Sequence, residues 1–171
     1  MPYRVIAAMG RNAGIGYLGA IPWHCPADMA HFARLTRGAG NNAVVMGRAT
    51  WDSLGRKPLT GRDNIVMSRN PAAAFGDTKT ASSFDEVIDM CRETDYDDVW
   101  IIGGAQVYSA ALESGKCSSC HLTLIPRDTQ SDTYFPVMAL ARNGWTRNSV
   151  SPLDDEGDVL CHVFIPRPHS S

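Results

Sequence analysis

At 171 residues, 44% apolar and 20% charged, the chain has the size and composition of a single globular domain over 1–171 and is too apolar for a disordered one. Its net charge of −2 excludes a globally basic nucleic-acid binder, and no apolar run approaches the ~20 residues of a membrane helix. Five cysteines, an odd number without framework-like spacing, read as reduced structural thiols of a cytoplasmic protein.

In chain order, Tyr3 to Met9 reads as a buried strand, which leaves no room for a signal peptide ahead of it. Glycines at 10, 14, 16 and 19 make residues 10–21 a mobile loop rather than an element. Pro26 suits the first position of a helix running to about Thr36, with Gly38 and Gly40 to stop it. Ala43 to Met46 is a short apolar strand, followed by Gly47 and a short helix through Leu54; Asn64 to Met67 is another strand. Ser83 with Glu86 forms a capping box, and Phe84, Val87, Ile88 and Cys91 at i, i+3, i+4 and i+7 give a helix with one buried face. Val99 to Ile102 is a strand running through Gly103-Gly104 into a helix to about Leu112. From Cys120 onward only strands are predicted, the last two a hairpin of Trp145–Val150 and Val159–Ile165 around Asp154-Asp155-Glu156-Gly157. Strands alternating with helices imply an α/β fold: a mainly parallel twisted sheet, helices on both faces, and an antiparallel C-terminal hairpin.

Chemistry concentrates in three places. Met46-Gly47-Arg48 and Ile102-Gly103-Gly104-Ala105 each take a strand through glycine into a helix start, aiming backbone N–H groups at one spot. Either turn alone needs no function, since glycine also merely redirects a chain. Two in one small domain suit a diphosphate held from both sides, although G-x-G-x-x-G is absent. In the third place, Asp28 shares a helix face with Phe32 and Leu35 at i, i+4 and i+7. An exposed acid there would only favour the helix dipole. In an apolar stripe its charge is costly without a cationic or hydrogen-bonding partner. Cys117-Ser118-Ser119-Cys120 is formally a CxxC, but it lacks a second ligand pair for zinc and precedes a strand-like run rather than a helix.

The chain resembles the dihydrofolate reductases of bacterial chromosomal type over nearly its whole length. The resemblance rests on motifs in register: Ile15-Gly16, Pro22-Trp23, Pro26-Ala27-Asp28, Met46-Gly47-Arg48-x-Thr50-Trp51, Pro58-Leu59-x-Gly61-Arg62-x-Asn64, Ile102-Gly103-Gly104-x-x-Val107-Tyr108 and Asp132-Thr133-Tyr134-Phe135-Pro136. It implies reduction of 7,8-dihydrofolate by NADPH, with hydride transfer to pterin C6 and protonation at N5. It implies Asp28, Trp23 and Thr123 as the catalytic group: Asp28 on the pterin 2-amino group and N3, Trp23 holding a water, Thr123 bonding the carboxylate. Ile6, Phe32, Leu54, Leu59, Ile102 and Tyr108 would form the substrate pocket, and Arg62 would pair the glutamate α-carboxylate in a bidentate fork.

For the cofactor, the resemblance implies Ala8 bonding the nicotinamide carboxamide through its backbone, with Ile15, Gly16 and Ala20 also among the cofactor-binding residues. Gly47, Arg48, Ala49 and Thr50 would lie at one phosphate turn, and Ile102, Gly103, Gly104, Ala105, Gln106, Val107 and Tyr108 at the other, with a cis peptide between the two glycines. Met67, Ser68 and Arg69 would meet the adenosine, with Ser68 and Arg69 on its 2′-phosphate. Ala49 and Gln106 stand where the family often carries cations and Ala105 replaces a third glycine, so the 2′-phosphate leans on Arg48 and Arg69. The loop to Ile21 matches the family's lid. A monomer is expected, with dihydrofolate and antifolates as ligands and no metal, nucleic acid or membrane. Two other readings stand beside this one, a pyrimidine reductase of riboflavin synthesis on the same fold and a nucleotide-binding module without catalysis. The Trp23, Asp28 and Thr123 set argues against both.

Overall fold

A computed structural model describes residues 1–70, 76 and 78–168. Its centre is an eight-stranded sheet in the order β5-β4-β3-β6-β1-β7-β10-β9. β1 (Tyr3–Met9), β3 (Ala43–Gly47), β4 (Asp63–Met67), β5 (Lys79–Ala81), β6 (Val99–Gly103) and β7 (Cys117–Leu124) are mutually parallel. β9 (Thr146–Pro152) and β10 (Leu160–Ile165) add the antiparallel edge. The expected α/β architecture is observed.

Alternation along the strands builds two cores, because successive side chains point to opposite faces. Val5, Ala7, Val45, Ile101, Cys120 and Leu122 face α3 (Phe84–Arg92), α4 (Ala105–Glu113) and α5 (Val137–Arg142). Ile6, Val44, Met46, Val66, Trp100 and Ile102 face the other way, under α1 (Pro26–Arg37) and α2 (Arg48–Ser53). α1 starts at Pro26 and ends where the Gly38 N–H, at φ +51°, donates to Arg34 O at 3.1 Å. The buried Asn42 then ties that end to the sheet: it donates to Thr36 O at 3.0 Å and accepts from the Asp98 N–H at 3.0 Å.

Four expectations need correction. The region after Cys120 is not strands alone, since Pro136 leads into α5, whose Ala139 and Leu140 are buried; six residues are too short to show a helical period. The loop 10–21 contains β2 (Gly14–Gly16), paired with β8 (Thr133–Tyr134), and a tight turn in which Tyr17 and Ala20 exchange backbone hydrogen bonds. The CxxC lies inside β7, with both thiols buried. The capping box is also shifted. Ser83 Oγ accepts from the Glu86 N–H at 3.1 Å, but the Glu86 carboxylate reaches Ser82 N–H, at 2.8 Å, rather than Ser83. All five cysteines are unpaired, and among the described residues no helix is long and apolar enough to cross a membrane.

Candidate active site

α1 packs Phe32 and Leu35 against the cluster that holds Ile6 of β1 and Ile102 of β6, and its first turn brings Asp28 to Thr123 of β7. Burial raises the Asp28 carboxyl above the usual carboxylate range, and the hydroxyl of Thr123 offsets part of that rise. Thr123 stands opposite Ala8 of β1 and Cys161 of β10 and is 1% exposed. Its Oγ1 is enclosed and makes no hydrogen bond of ordinary length. The partner that an acid in an apolar stripe requires is therefore a hydroxyl from a distant strand, and that hydroxyl itself has capacity left for another group.

Around this pair the predicted apolar residues form one surface. Ile6 and Ile102 are buried at the strand ends, and Phe32, Leu54 and Leu59 pack against them while staying partly open. Trp23 is half-buried in the segment leading to α1. Tyr108 has a different part. Its single hydroxyl proton is shared between Ile6 O at 2.9 Å and Ile102 O at 3.0 Å, and the hydroxyl is pushed up by burial. It ties β1 to β6. Met29, at 60% exposure, and Leu18 and Ile21, also exposed, place apolar surface at the start of α1 and in the preceding loop. The motif pattern gave these three no role, and exposed apolar side chains cannot be told from core ones by sequence alone.

Arg62 closes the far end. Its Nε and Nη2 donate to Thr60 O at 3.0 and 2.8 Å, and its Nη1 donates to the Thr36 hydroxyl at 2.9 Å. Three of its five N–H groups are thus engaged, leaving one on each terminal nitrogen for a carboxylate fork. The loop carrying it is clamped by buried Asn64, which accepts from Leu59 N–H at 2.9 Å and donates to Leu59 O at 2.9 Å and Arg62 O at 2.8 Å. The motif match includes Asn64 without giving it this work.

On the other side of β6 the two glycine turns converge. A Cβ on Gly47 would stand 3.9 Å from Gly104 N and 3.1 Å from Val107. Gly103 has φ +116° and lies against the Tyr108 ring, where a Cβ would approach to 3.1 Å; its peptide to Gly104 is cis, as the resemblance implies. Neither α2 nor α4 has a side-chain cap at its start, so Arg48, Ala49 and Thr50 and, opposite, Ala105, Gln106 and Val107 present uncapped N–H groups. Arg48 and Arg69 are exposed, and neither forms an ion pair among the described residues. Met67 and Ser68 are half-buried at the end of β4, and Ser68 Oγ accepts from the Asn70 N–H at 3.2 Å. Ile15 and Gly16 are half-buried in β2 and Ala20 is exposed. This segment is pinned by Asp132, whose carboxylate accepts from Leu18 N–H at 3.0 Å and whose N–H donates to Gly16 O at 2.9 Å.

Beneath the middle of α1 runs a polar seam not foreseen from the sequence. Arg34 Nη2 donates to His31 Nδ1 at 3.3 Å, and Ser119 Oγ lies 3.0 Å from His121 Nε2. Arg4 donates to Ser119 Oγ and Asp98 Oδ1, each at 2.9 Å, and the Trp100 ring meets His121 edge-on at 5.1 Å. Burial pushes His121 down to about 4, with the Arg4 and His31 charges adding to the effect and Asp98 opposing it. His31 is pushed down by burial and by Arg34.

Comparison with known proteins points the same way. The family model described as dihydrofolate reductase matches residues 3–166. The type 3 dihydrofolate reductase of Salmonella typhimurium is 40% identical over 160 residues, covering 92% of each chain. The dihydrofolate reductase of Neisseria meningitidis is 37% identical over 141 residues, 82% of each chain. In structure, the Enterococcus faecalis dihydrofolate reductase complexed with NADP(H) and RAB-propyl superposes with a TM-score of 0.86 at 25% identity, covering 98% of this chain and 97% of that one.

Proposed function

This chain belongs to the dihydrofolate reductase family, and from that premise we propose that it reduces 7,8-dihydrofolate to tetrahydrofolate with NADPH, using Asp28 as the ionisable group of the pterin pocket. The observation that carries the reading is the meeting of a carboxyl raised by burial, Asp28, with the enclosed hydroxyl of Thr123. A pterin edge, with its 2-amino group and ring nitrogen, is the complement such a pair needs.

The residues present fit the cofactor. Gly47 and Gly104 bring two uncapped helix starts close together, where a diphosphate could be met from both sides, and a Cβ at Gly47 would crowd Val107 at 3.1 Å. Ala8, Ile15, Gly16 and Ala20 would border the nicotinamide, Met67 the adenosine, and Ser68, Arg48 and Arg69 the 2′-phosphate. When bound, NADPH supplies the hydride for C6 of the pterin. Asp28 holds the pterin and, by its negative charge, favours the ring protonated at N5, whether or not a water near Trp23 carries the proton. Ile6, Phe32, Leu54, Leu59 and Ile102 exclude water from that edge and strengthen the charge effect. Thr123 orients the carboxylate, and Arg62 fixes the substrate tail. Antifolates that imitate the pterin edge would use the same pair.

The same reading takes residues 1–171 as one domain acting as a cytoplasmic monomer. Five unpaired thiols support a reducing compartment. The sheet edges support a chain that does not pair through them, since β9 is polar and carries Arg147 and Pro152, and β5 has three residues. The test is spectrophotometric: NADPH absorbance should fall only when dihydrofolate is added. Absence of dihydrofolate-dependent oxidation by folded protein would overturn the assignment.

A further inference from the structure

Beyond Arg62 lies a second cation that the assignment above leaves unused. Arg37 is the last residue of α1 and is exposed. Its side chain lies across Gly61, with Nε 4.0 Å from the place a Cβ there would occupy, and its Nη2 donates to Thr60 Oγ1 at 3.3 Å. Thr60 thus touches both arginines, through its hydroxyl to Arg37 and its carbonyl to Arg62. The two guanidiniums are close enough that Arg37, after burial, helps to push Arg62 down. Among the described residues neither has a carboxylate within ion-pair distance. Asp63, the nearest acid in sequence, is engaged with Tyr96 at 2.6 Å and Lys79 at 3.5 Å. Beside Arg37 opens a recess of about 410 Å³, walled by Gly38, Ala39, Gly40, Thr60 and Gly61.

Two like charges held on one threonine repel each other unless an anion lies between or beside them. Three glycines in the wall keep the approach to Arg37 clear of side chains. We propose that Arg37, with Thr60 and the recess beside it, is a subsite for a second carboxylate on the substrate tail, which for a glutamate tail held at Arg62 by its α-carboxylate is the γ-carboxylate. This rests on the dihydrofolate reading above. Arg37 acts there on binding and specificity, remote from the reacting atoms. An exposed pair of this kind is worth about two- to fivefold in affinity at low salt.

The experiment compares wild type and Arg37→Gln on two substrates, dihydrofolate and its γ-carboxamide, which keeps the α-carboxylate. The ratio of mutant to wild-type KM should be about two- to fivefold larger for dihydrofolate than for the amide, and the difference should shrink in high salt. Equal ratios for the two substrates, with wild type active on both, would overturn the subsite and leave the enzyme assignment standing. A folded wild type inactive on both would overturn the assignment, and the subsite with it.

Discussion

His121 offers a test of the seam that seats α1 on the sheet. In the unfolded chain its imidazole takes a proton near pH 6.5; in the fold that proton is resisted down to about pH 4. The groups facing it are Ser119, Arg4, His31, Asp98 and the Trp100 ring, and of the charged ones only Asp98 favours the imidazolium. Between these two values the unfolded state binds a proton that the folded state refuses. Stability is therefore complete above about pH 6.5 and is lost as pH falls toward 4. Each pH unit of separation corresponds to about 1.4 kcal/mol, and allowing for solvent that still reaches the ring leaves an expected loss of about 2 kcal/mol. Urea unfolding of wild type and His121→Phe should be followed from pH 7 to about pH 4.5. The variant gives up the Ser119 contact at every pH, so its absolute stability is lower throughout. The informative quantity is the slope: wild type should lose about 2 kcal/mol more than the variant across the range. Parallel curves would refute the argument, because carboxylates elsewhere titrate equally in both proteins.

Asp28→Asn should slow single-turnover hydride transfer at neutral pH by about 10²–10⁴-fold, with partial recovery in acid as solution supplies protonated substrate; a near-wild-type rate would remove the role. The same change should raise the melting temperature near pH 7 and not near pH 3, because burial penalises only the charged carboxyl, whose folded-state proton affinity lies above its unfolded value. Arg62→Leu should raise KM for dihydrofolate far more than it slows hydride transfer, and a pteridine without the glutamate should not register the change. Arg69→Ala should weaken NADPH by about ten- to a hundredfold and spare NADH; equal loss for both would take Arg69 away from the 2′-phosphate.

What could be read from the sequence was what short-range pattern encodes. Pro26 and the i, i+4, i+7 spacing located α1 and put Asp28 on its apolar side, and glycine after an apolar strand located both strand-to-helix turns proposed for the diphosphate. The roles proposed for Thr123 and Arg62 came from the resemblance. Elements of two or three residues, such as β2, β5 and β8, carry no period and exist only through partners far along the chain. The work of Asn64 was hidden for a related reason, since a motif position does not show which carbonyls its amide will meet. The histidine seam was out of reach as well. His31 and His121 come from an α-helix and a strand whose approach follows from the whole sheet, and neither has a neighbour in sequence that announces the other. Tyr108 is a further case: its matched position did not show that its hydroxyl meets the carbonyls of Ile6 and Ile102 on two different strands.

The central place of β1 also governs how the protein is made. β1 is made long before the strands it pairs with, β6 on one side and β7 on the other, since β6 begins only at Val99 and β7 at Cys117. At about 5–20 residues per second, the apolar run from Val5 to Ala8 waits roughly 5–20 s without a neighbour. During that interval it is open to chaperones and to wrong partners. Nascent chains that stall before Val99 lack both strands between which β1 closes, so β1 cannot take its place in the sheet.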